Sequence, residues 1–188
     1  MTGATAGVTP EAALIGALRS AIEPCPFQLG DVFETDAELL DTGGDELLAV
    51  TVDTLHAGEE LETAASPYAK GWLAATASLS DLAAVGARPL ATLVSCSFPK
   101  STLADEDAVA VGRGAAEATR AQGAYLVGGD TNWSAEETLT SCALGHVARD
   151  RALTRIGARA GDLLYVTGPV GGGNAAGART ALGEDAGA

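Results

Sequence analysis

Leu126-Val127-Gly128-Gly129-Asp130-Thr131 is the stretch on which the fold turns. Tyr125 to Val127 is short and apolar, the pattern of a buried strand nearing its end. Gly128 and Gly129 let the backbone approach a ligand and adopt φ values closed to other residues. Asp130 is then delivered at the rim of a sheet, beside bare backbone N–H groups, which suits a hydrated metal and a phosphate. The plainer alternative is a Gly-Gly-Asp turn between two strands. Three other apolar segments, around Asp36, Asp53 and Asp81, also present an isolated aspartate.

The spacing of apolar residues on either side predicts a mixed α/β domain in two layers. Thr9-Pro10-Glu11 starts a helix, with Thr9 as N-cap and Pro10 at its first position; Leu14, Ile15, Leu18 and Ile22 give it one apolar face before Pro24 and Pro26 end it. Residues 27–46 are acidic and loop-like, with a short strand starting near Asp36 and Leu39-Leu40. Leu47 to Val52 reads as a strand with Asp53-Thr54 at its end. Ser66-Pro67 opens a helix that runs to about Val85 and stops at Gly86. Leu90 to Phe98 is the next strand, Leu103 to Gln122 an alanine-rich helix, and Thr138 to Val147 an alternating strand. Asp150 to Arg155 forms a charged turn, Leu163 to Thr167 a last strand, and Gly168 to Gly173 a loop that opens a helix. Residues 1–8 are expected to be a loose tail, 9–178 one domain, and 179–188 a tail or the truncated start of a second domain.

Asp81 breaks the local rules. It lies among Leu79, Leu82, Ala83, Ala84 and Val85, near the C-terminus of its helix, where the macrodipole disfavours an anion by ~0.3–1 kcal/mol. Lys70 is on the same stripe but about three turns away, too far for direct pairing. A carboxylate in such surroundings requires a cation or several donors. Violations of this kind are expected at functional sites.

Composition narrows the classes. The chain has 188 residues, a formal net charge of −14 and 47 % hydrophobic residues, enough length for a real core and a balance that repels nucleic acid. Cys25, Cys96 and Cys142 are far apart and lack a C-x-x-C pattern, against a zinc ribbon or a disulfide framework. No apolar run approaches the ~18 residues of a membrane span, and no basic stretch precedes an apolar one at the start, so a cytoplasmic location is expected. His56 and His146 are the only histidines, and no G-x-S-x-G is present, which leaves nucleophile triads and zinc poorly supported. The glycine-rich Gly168-Pro169-Val170-Gly171-Gly172-Gly173 lacks the Lys-Ser/Thr of a P-loop and the second half of a dinucleotide fold. Hard oxygen ligands at Asp36, Asp53, Asp81 and Asp130 suit Mg²⁺.

Four motifs in order now carry a resemblance: Val-Thr-Val-Asp-Thr-Leu (50–55), Ser-Leu-Ser-Asp-Leu-Ala-Ala-Val-Gly-Ala-Arg-Pro (78–89), Leu-Val-Gly-Gly-Asp-Thr (126–131), and Arg-Ala-Leu-Thr-Arg to Tyr-Val-Thr-Gly (151–168). Together they resemble thiamine-monophosphate kinase, of the superfamily that also holds aminoimidazole ribonucleotide synthetase, selenophosphate synthetase and a hydrogenase maturation dehydratase. The likeness covers roughly residues 30–178. It implies ATP-dependent phosphoryl transfer to thiamine monophosphate, with Mg²⁺ held by Asp36, Asp53, Asp81 and Asp130 assisted by Thr51. Gly129 and Asp130 would approach the ATP phosphates, and Arg155 would contact the nucleotide. It also implies an α+β N-terminal unit whose strands join those of a second subunit in a barrel, hence a homodimer. Such chemistry rests on positioning and charge neutralisation, without a covalent nucleophile.

Three departures accompany the resemblance. Glu34-Thr35-Asp36 stands where the family has Gly-Asp-Asp, leaving Asp31 or Glu34 to compensate or the ligand shell changed. Gly58-Glu59-Glu60-Leu61 replaces Gly-x-His-Phe, so Glu60 stands where a histidine would face the substrate. The sequence also stops where the family's second domain would begin. These departures keep two further readings open: a homologue acting on a different substrate, and a dimeric non-catalytic nucleotide-binding protein.

Overall fold

A computed structural model describes residues 9–31, 34–100, 104–166 and 168–172. Three helices, α1 (Pro10–Ala21), α2 (Pro67–Ala84) and α3 (Asp105–Ala121), accompany six strands: β1 (Gln28–Leu29), β2 (Glu38–Leu40), β3 (Glu46–His56), β4 (Arg88–Pro99), β5 (Tyr125–Ser134) and β6 (Thr138–Ala148). The strands form one open sheet in the order β1-β2-β3-β6-β4-β5. Every neighbouring pair is antiparallel except β4 and β5, which are parallel and joined through α3.

Alternation along β3 and β6 sets the two layers. Leu47, Ala49, Thr51 and Leu55 are buried on one face, and so are Leu139, Ser141, Ala143 and Val147. That face receives α2 and α3, whose Ala75, Leu79, Leu82, Ala115 and Ala118 complete the core. The two helices approach closely because of Gly71 and Gly114. A Cβ at Gly71 would stand 1.9 Å from the Val111 carbonyl oxygen, and one at Gly114 2.0 Å from that of Tyr68. The abundance of alanine and glycine is therefore used to bring backbones together. Where the sheet has no large side chains to bury, hydroxyl pairs fill the gap: Ser78 with Ser141 at 2.6 Å and Thr92 with Thr119 at 2.8 Å.

The caps expected from sequence are in place. Thr9 accepts from Ala12 N at 3.2 Å and Ser66 from Ala69 N at 3.2 Å. Gly86, with φ +76°, turns the chain out of α2 as Ala87 N returns to Leu82 O at 2.8 Å.

Two strand boundaries differ from expectation, and both matter for function. β3 does not end before Asp53; it continues to His56, paired with β6 over its whole length. Asp53 thus occupies an inward-facing rung between Thr51 and Leu55. Likewise β5 does not stop at the glycines. It runs on through Asp130 to Ser134 alongside β4, so Asp130 is mid-strand and no Gly-Gly-Asp turn exists. A bulge beside Leu93 sets the register there. The expected strand from Leu163 is not formed among the described residues: Leu163 to Val166 lie outside the sheet, Leu164 fully exposed. Thr167 and Gly173, the ends of the expected last strand and loop, lie outside the described residues, as do Leu103 and most of the expected termini.

Two surfaces remain bare among the described residues. Helix α1 has its predicted apolar stripe but buries no residue; Leu14, Leu18 and Ile22 are all exposed. On the sheet, the face opposite α2 and α3 carries Leu40, Leu48, Val50, Val52, Cys142 and Leu144, and Val52 is 64 % exposed. No described helix is long and apolar enough to cross a membrane.

Candidate active site

Three of the expected ligands meet on the helical side of the sheet. Thr51 and Asp53 are consecutive inward positions of β3, and Asp81 comes down from the last turn of α2. The Thr51 hydroxyl donates to Asp81 Oδ2 at 2.7 Å, one of the donors that an aspartate at a helix C-terminus requires. Its oxygen also lies 3.4 Å from the Asp36 carbonyl oxygen, which puts the loop before β2 beside this group. The Asp53 carboxyl lies close enough to Asp81 to feel its charge. Burial first, and then the Asp81 charge, hold the Asp53 carboxyl above the usual carboxylate range.

Asp36 reaches the same neighbourhood through a different partner. Its Oδ1 accepts from Nη2 of Arg155, which arrives from the segment after a short helical turn at Arg149–Arg151. The hydrogen bond to Asp36, then attraction to Asp36 and to Asp81, raises the Arg155 guanidinium above its ordinary value. Asp36, Thr51, Asp53, Asp81 and Arg155 therefore form one neighbourhood.

Asp130 and Gly129 do not join it. Asp130 pairs in register with Ser95, Ser95 with Thr140, and Thr140 with Thr54, all on the face away from the helices. Asp53 is level with buried Ser141, on the other face. The Asp130 carboxylate is exposed and accepts from Asn132 Nδ2 at 2.6 Å. The glycine before it has a structural cause: a Cβ at Gly129 would lie 1.8 Å from the Val94 carbonyl oxygen. Backbone closeness was expected from the pair of glycines; the close neighbour here is strand β4.

Substitutions in the motifs are absorbed locally. Thr35, standing for the second residue of Gly-Asp-Asp, is buried and donates to Ala37 O at 2.6 Å. Glu34 accepts from Asp31 N at 2.8 Å, and Asp31 pairs with Arg19 at 2.5 Å, so both carboxylates serve their own turn. Glu60 folds back to accept from His56 N at 3.4 Å. Lys70 pairs with Glu137 at 2.5 Å and tethers α2 to the β5–β6 connection.

A concavity of about 440 Å³ lies where β2 meets β3, lined by Thr35, Asp36, Glu38, Val50, Thr51 and Cys142 among others. Glu38 and Cys142 escaped the sequence reading. The signal available for them was the period of two: Glu38 is level with Val50, and Cys142 with Val52.

Among the described residues, no three carboxylate, imidazole or thiol groups converge tightly enough to hold a metal alone. The donor set nevertheless fits Mg²⁺, which is commonly held by one or two carboxylates, with water and phosphate oxygens completing the octahedron. Asp53 and Asp81, close enough for one to perturb the other, would supply those carboxylates, and Thr51 donates to one of them.

The sequence pattern of the family described as AIR synthase related protein, N-terminal domain, matches residues 34–147. The chain belongs to the AIR synthase-related family. Among its relatives, the thiamine-monophosphate kinase of Halobacterium salinarum is 37 % identical over 123 residues, covering 65 % of this chain and 41 % of that protein. The solved structure of tt0281 from Thermus thermophilus superimposes with a TM-score of 0.82 at 29 % identity, over 95 % of this chain and 56 % of that one. A structure of AaThiL complexed with AMPPCP and TMP gives a TM-score of 0.70 at 25 % identity, over 79 % and 45 % of the two chains. This AIR synthase-related chain thus spans about two fifths of the length of the curated relative it matches. Its two-layer mixed α/β architecture matches AIR synthase-like folds, as the motifs led one to expect, and within the single chain its six-stranded sheet is open.

Proposed function

We propose that this domain binds ATP with Mg²⁺ and belongs to an enzyme that phosphorylates thiamine monophosphate to the diphosphate. The observation that carries the reading is the meeting of Asp53, Asp81 and Thr51 on β3 and α2. It gains weight from relatives that are thiamine-monophosphate kinases and from a neighbour solved with AMPPCP and TMP. Asp53, Asp81 and Asp36 would hold Mg²⁺, which when bound neutralises charge on phosphate oxygens during transfer. Arg155 would meet the nucleotide, and no covalent nucleophile is needed.

Two further elements belong to this reading. The bare apolar face of the sheet is the surface through which a second copy would complete a barrel, giving a cytoplasmic homodimer. Asp130 and Gly129 lie on the strand that flanks that face, so their part in phosphate or metal binding would depend on the assembled dimer. A different phosphorylated substrate is the second reading; it is favoured by Glu60, whose carboxylate occupies the place of a substrate-facing histidine and would repel a phosphate.

Calorimetric titration with AMPPCP tests the proposal. Binding in Mg²⁺, its loss in EDTA, and at least about tenfold weaker binding by Asp81→Asn are expected. Equal affinity with and without the metal, or an unaffected Asp81→Asn protein, refutes the assignment. Binding of AMPPCP without any heat from thiamine monophosphate favours the second reading.

A further inference from the structure

Among the described residues, Arg155 is the cation that meets the acidic neighbourhood, and the way it is mounted is informative. The chain after β6 is pinned close to the site. Leu153 N donates to Val85 O at 3.1 Å, and Val85 N in turn donates to Asp81 O at 3.2 Å, so the anchor lies one helical turn from the Asp81 carboxylate. Ala152 packs against the core. Two residues further on, Arg155 reaches across to Asp36 on the loop before β2. Beyond it, Leu163 to Val166 are exposed and unpaired to the sheet. Among the described residues, Arg155 is therefore the last tie between this segment and the body of the domain.

That tie is of a kind that a metal can outcompete. The side chains of Arg155 and Asp36 are 61 % and 35 % exposed, and ion pairs so open to water contribute little. A doubly charged cation gains far more from several carboxylates than one guanidinium does. The guanidinium, once released, keeps five donors in a fork suited to phosphate.

We infer that Arg155 is an exchangeable counter-ion: it neutralises Asp36 in the metal-free domain, is displaced when a divalent cation arrives, and then turns to an anionic phosphate. The inference rests on the Mg²⁺–nucleotide reading of the same site and adds an order of events to it. Metal and phosphate become mutually reinforcing, because the phosphate captures the side chain that would otherwise compete for Asp36. By linkage the reinforcement is equal in both directions.

The test uses Mn²⁺ as a probe, followed by electron paramagnetic resonance, with the wild type, Arg155→Ala and Asp36→Asn. Without nucleotide, Arg155→Ala binds Mn²⁺ more tightly, by up to about fivefold, the range for losing an exposed ion pair. AMPPCP strengthens Mn²⁺ binding in the wild type and does so less in Arg155→Ala. A second readout is tryptic cleavage after Arg159. Mn²⁺ alone accelerates it in the wild type, whereas Arg155→Ala and Asp36→Asn are already fast without metal. If the wild type binds Mn²⁺ but Arg155→Ala binds it equally or less well, with cleavage indifferent to metal, the exchange is refuted while the metal site stands. If the wild type binds no Mn²⁺, with or without AMPPCP, both the metal reading and the exchange fall.

Discussion

Replacing Gly129 by alanine tests whether the second glycine of the Gly-Gly-Asp motif serves the sheet. The added Cβ would stand 1.8 Å from Val94 O, 2.6 Å from Val94 C and 3.0 Å from Val94 N, all backbone atoms of the neighbouring strand. Ordinary contact begins at 3.4 Å, so strands β4 and β5 must part by about 1.6 Å at that rung. Backbone cannot swing aside as the end of a side chain can. Overpacking of this sort costs ~1–3 kcal/mol. A displaced ladder hydrogen bond adds ~1 kcal/mol. The sum, ~2–4 kcal/mol, lowers the melting temperature of a chain this size by roughly 4–15 °C. Gly128→Ala is the control, because its Cβ meets nothing within 4 Å. It should leave stability unchanged or raise it by up to ~1 kcal/mol through reduced freedom of the unfolded chain. Thermal unfolding followed by circular dichroism gives both numbers. A Gly129→Ala protein melting within about 1 °C of wild type, or a Gly128→Ala protein equally damaged, would refute the account.

Asp53→Asn should stabilise the metal-free protein in a pH-dependent manner. The folded Asp53 carboxyl holds its proton more tightly than the unfolded one, so its contribution is present at low pH and lost as pH rises through the raised folded value. The gain from asparagine is therefore larger at pH 7 than at pH 4 in thermal melts; a gain independent of pH would contradict the raised Asp53 carboxyl. Val52→Glu, on the bare face of the sheet, should weaken self-association at least about tenfold by burying an unpaired charge. Its effect on the isolated fold should stay within ~0.5 kcal/mol. Sedimentation velocity distinguishes these, and a wild type that stays monomeric at all concentrations removes the proposed dimer.

Much of the frame was legible because packing and local chemistry agree. Pro10 and Pro67 at first helical positions, Thr9 and Ser66 as caps, and Gly86 after α2 lie where their chemistry requires. The two misplaced strand ends share one cause, a polar residue that continues the strand, whereas the apolar run from Leu163 has no neighbouring strand among the described residues. Asp53 follows Leu47, Ala49 and Thr51 at a period of two and is followed by Leu55, so the alternation passes straight through the charge. Thr131 to Ser134 carry no apolar rhythm because β5 is an edge strand with every one of those residues exposed. The neighbourhood of Asp36, Asp53 and Asp81 was foreseen through the family's motifs, and the oddity of Asp81 was visible from electrostatics alone. That Asp130 stands on the opposite face could not be read from the sequence, since it depends on a register fixed by the bulge beside Leu93.

The acidic neighbourhood is assembled from parts of unequal durability. Thr51 and Asp53 lie in an eleven-residue strand paired along its whole length, and Asp81 on a helix sunk into the core. Among the described residues, Arg155 hangs from residues 153–156, which are tied to the body by one backbone hydrogen bond and one exposed ion pair. Amide hydrogens around Thr51 should exchange with deuterium only when the whole domain opens, and those of residues 153–156 whenever the segment lifts. A ligand that spans the two will leave the slow amides as they were and slow the fast ones. The 153–156 segment thus acts as a built-in occupancy gauge, readable by mass spectrometry on the unlabelled protein.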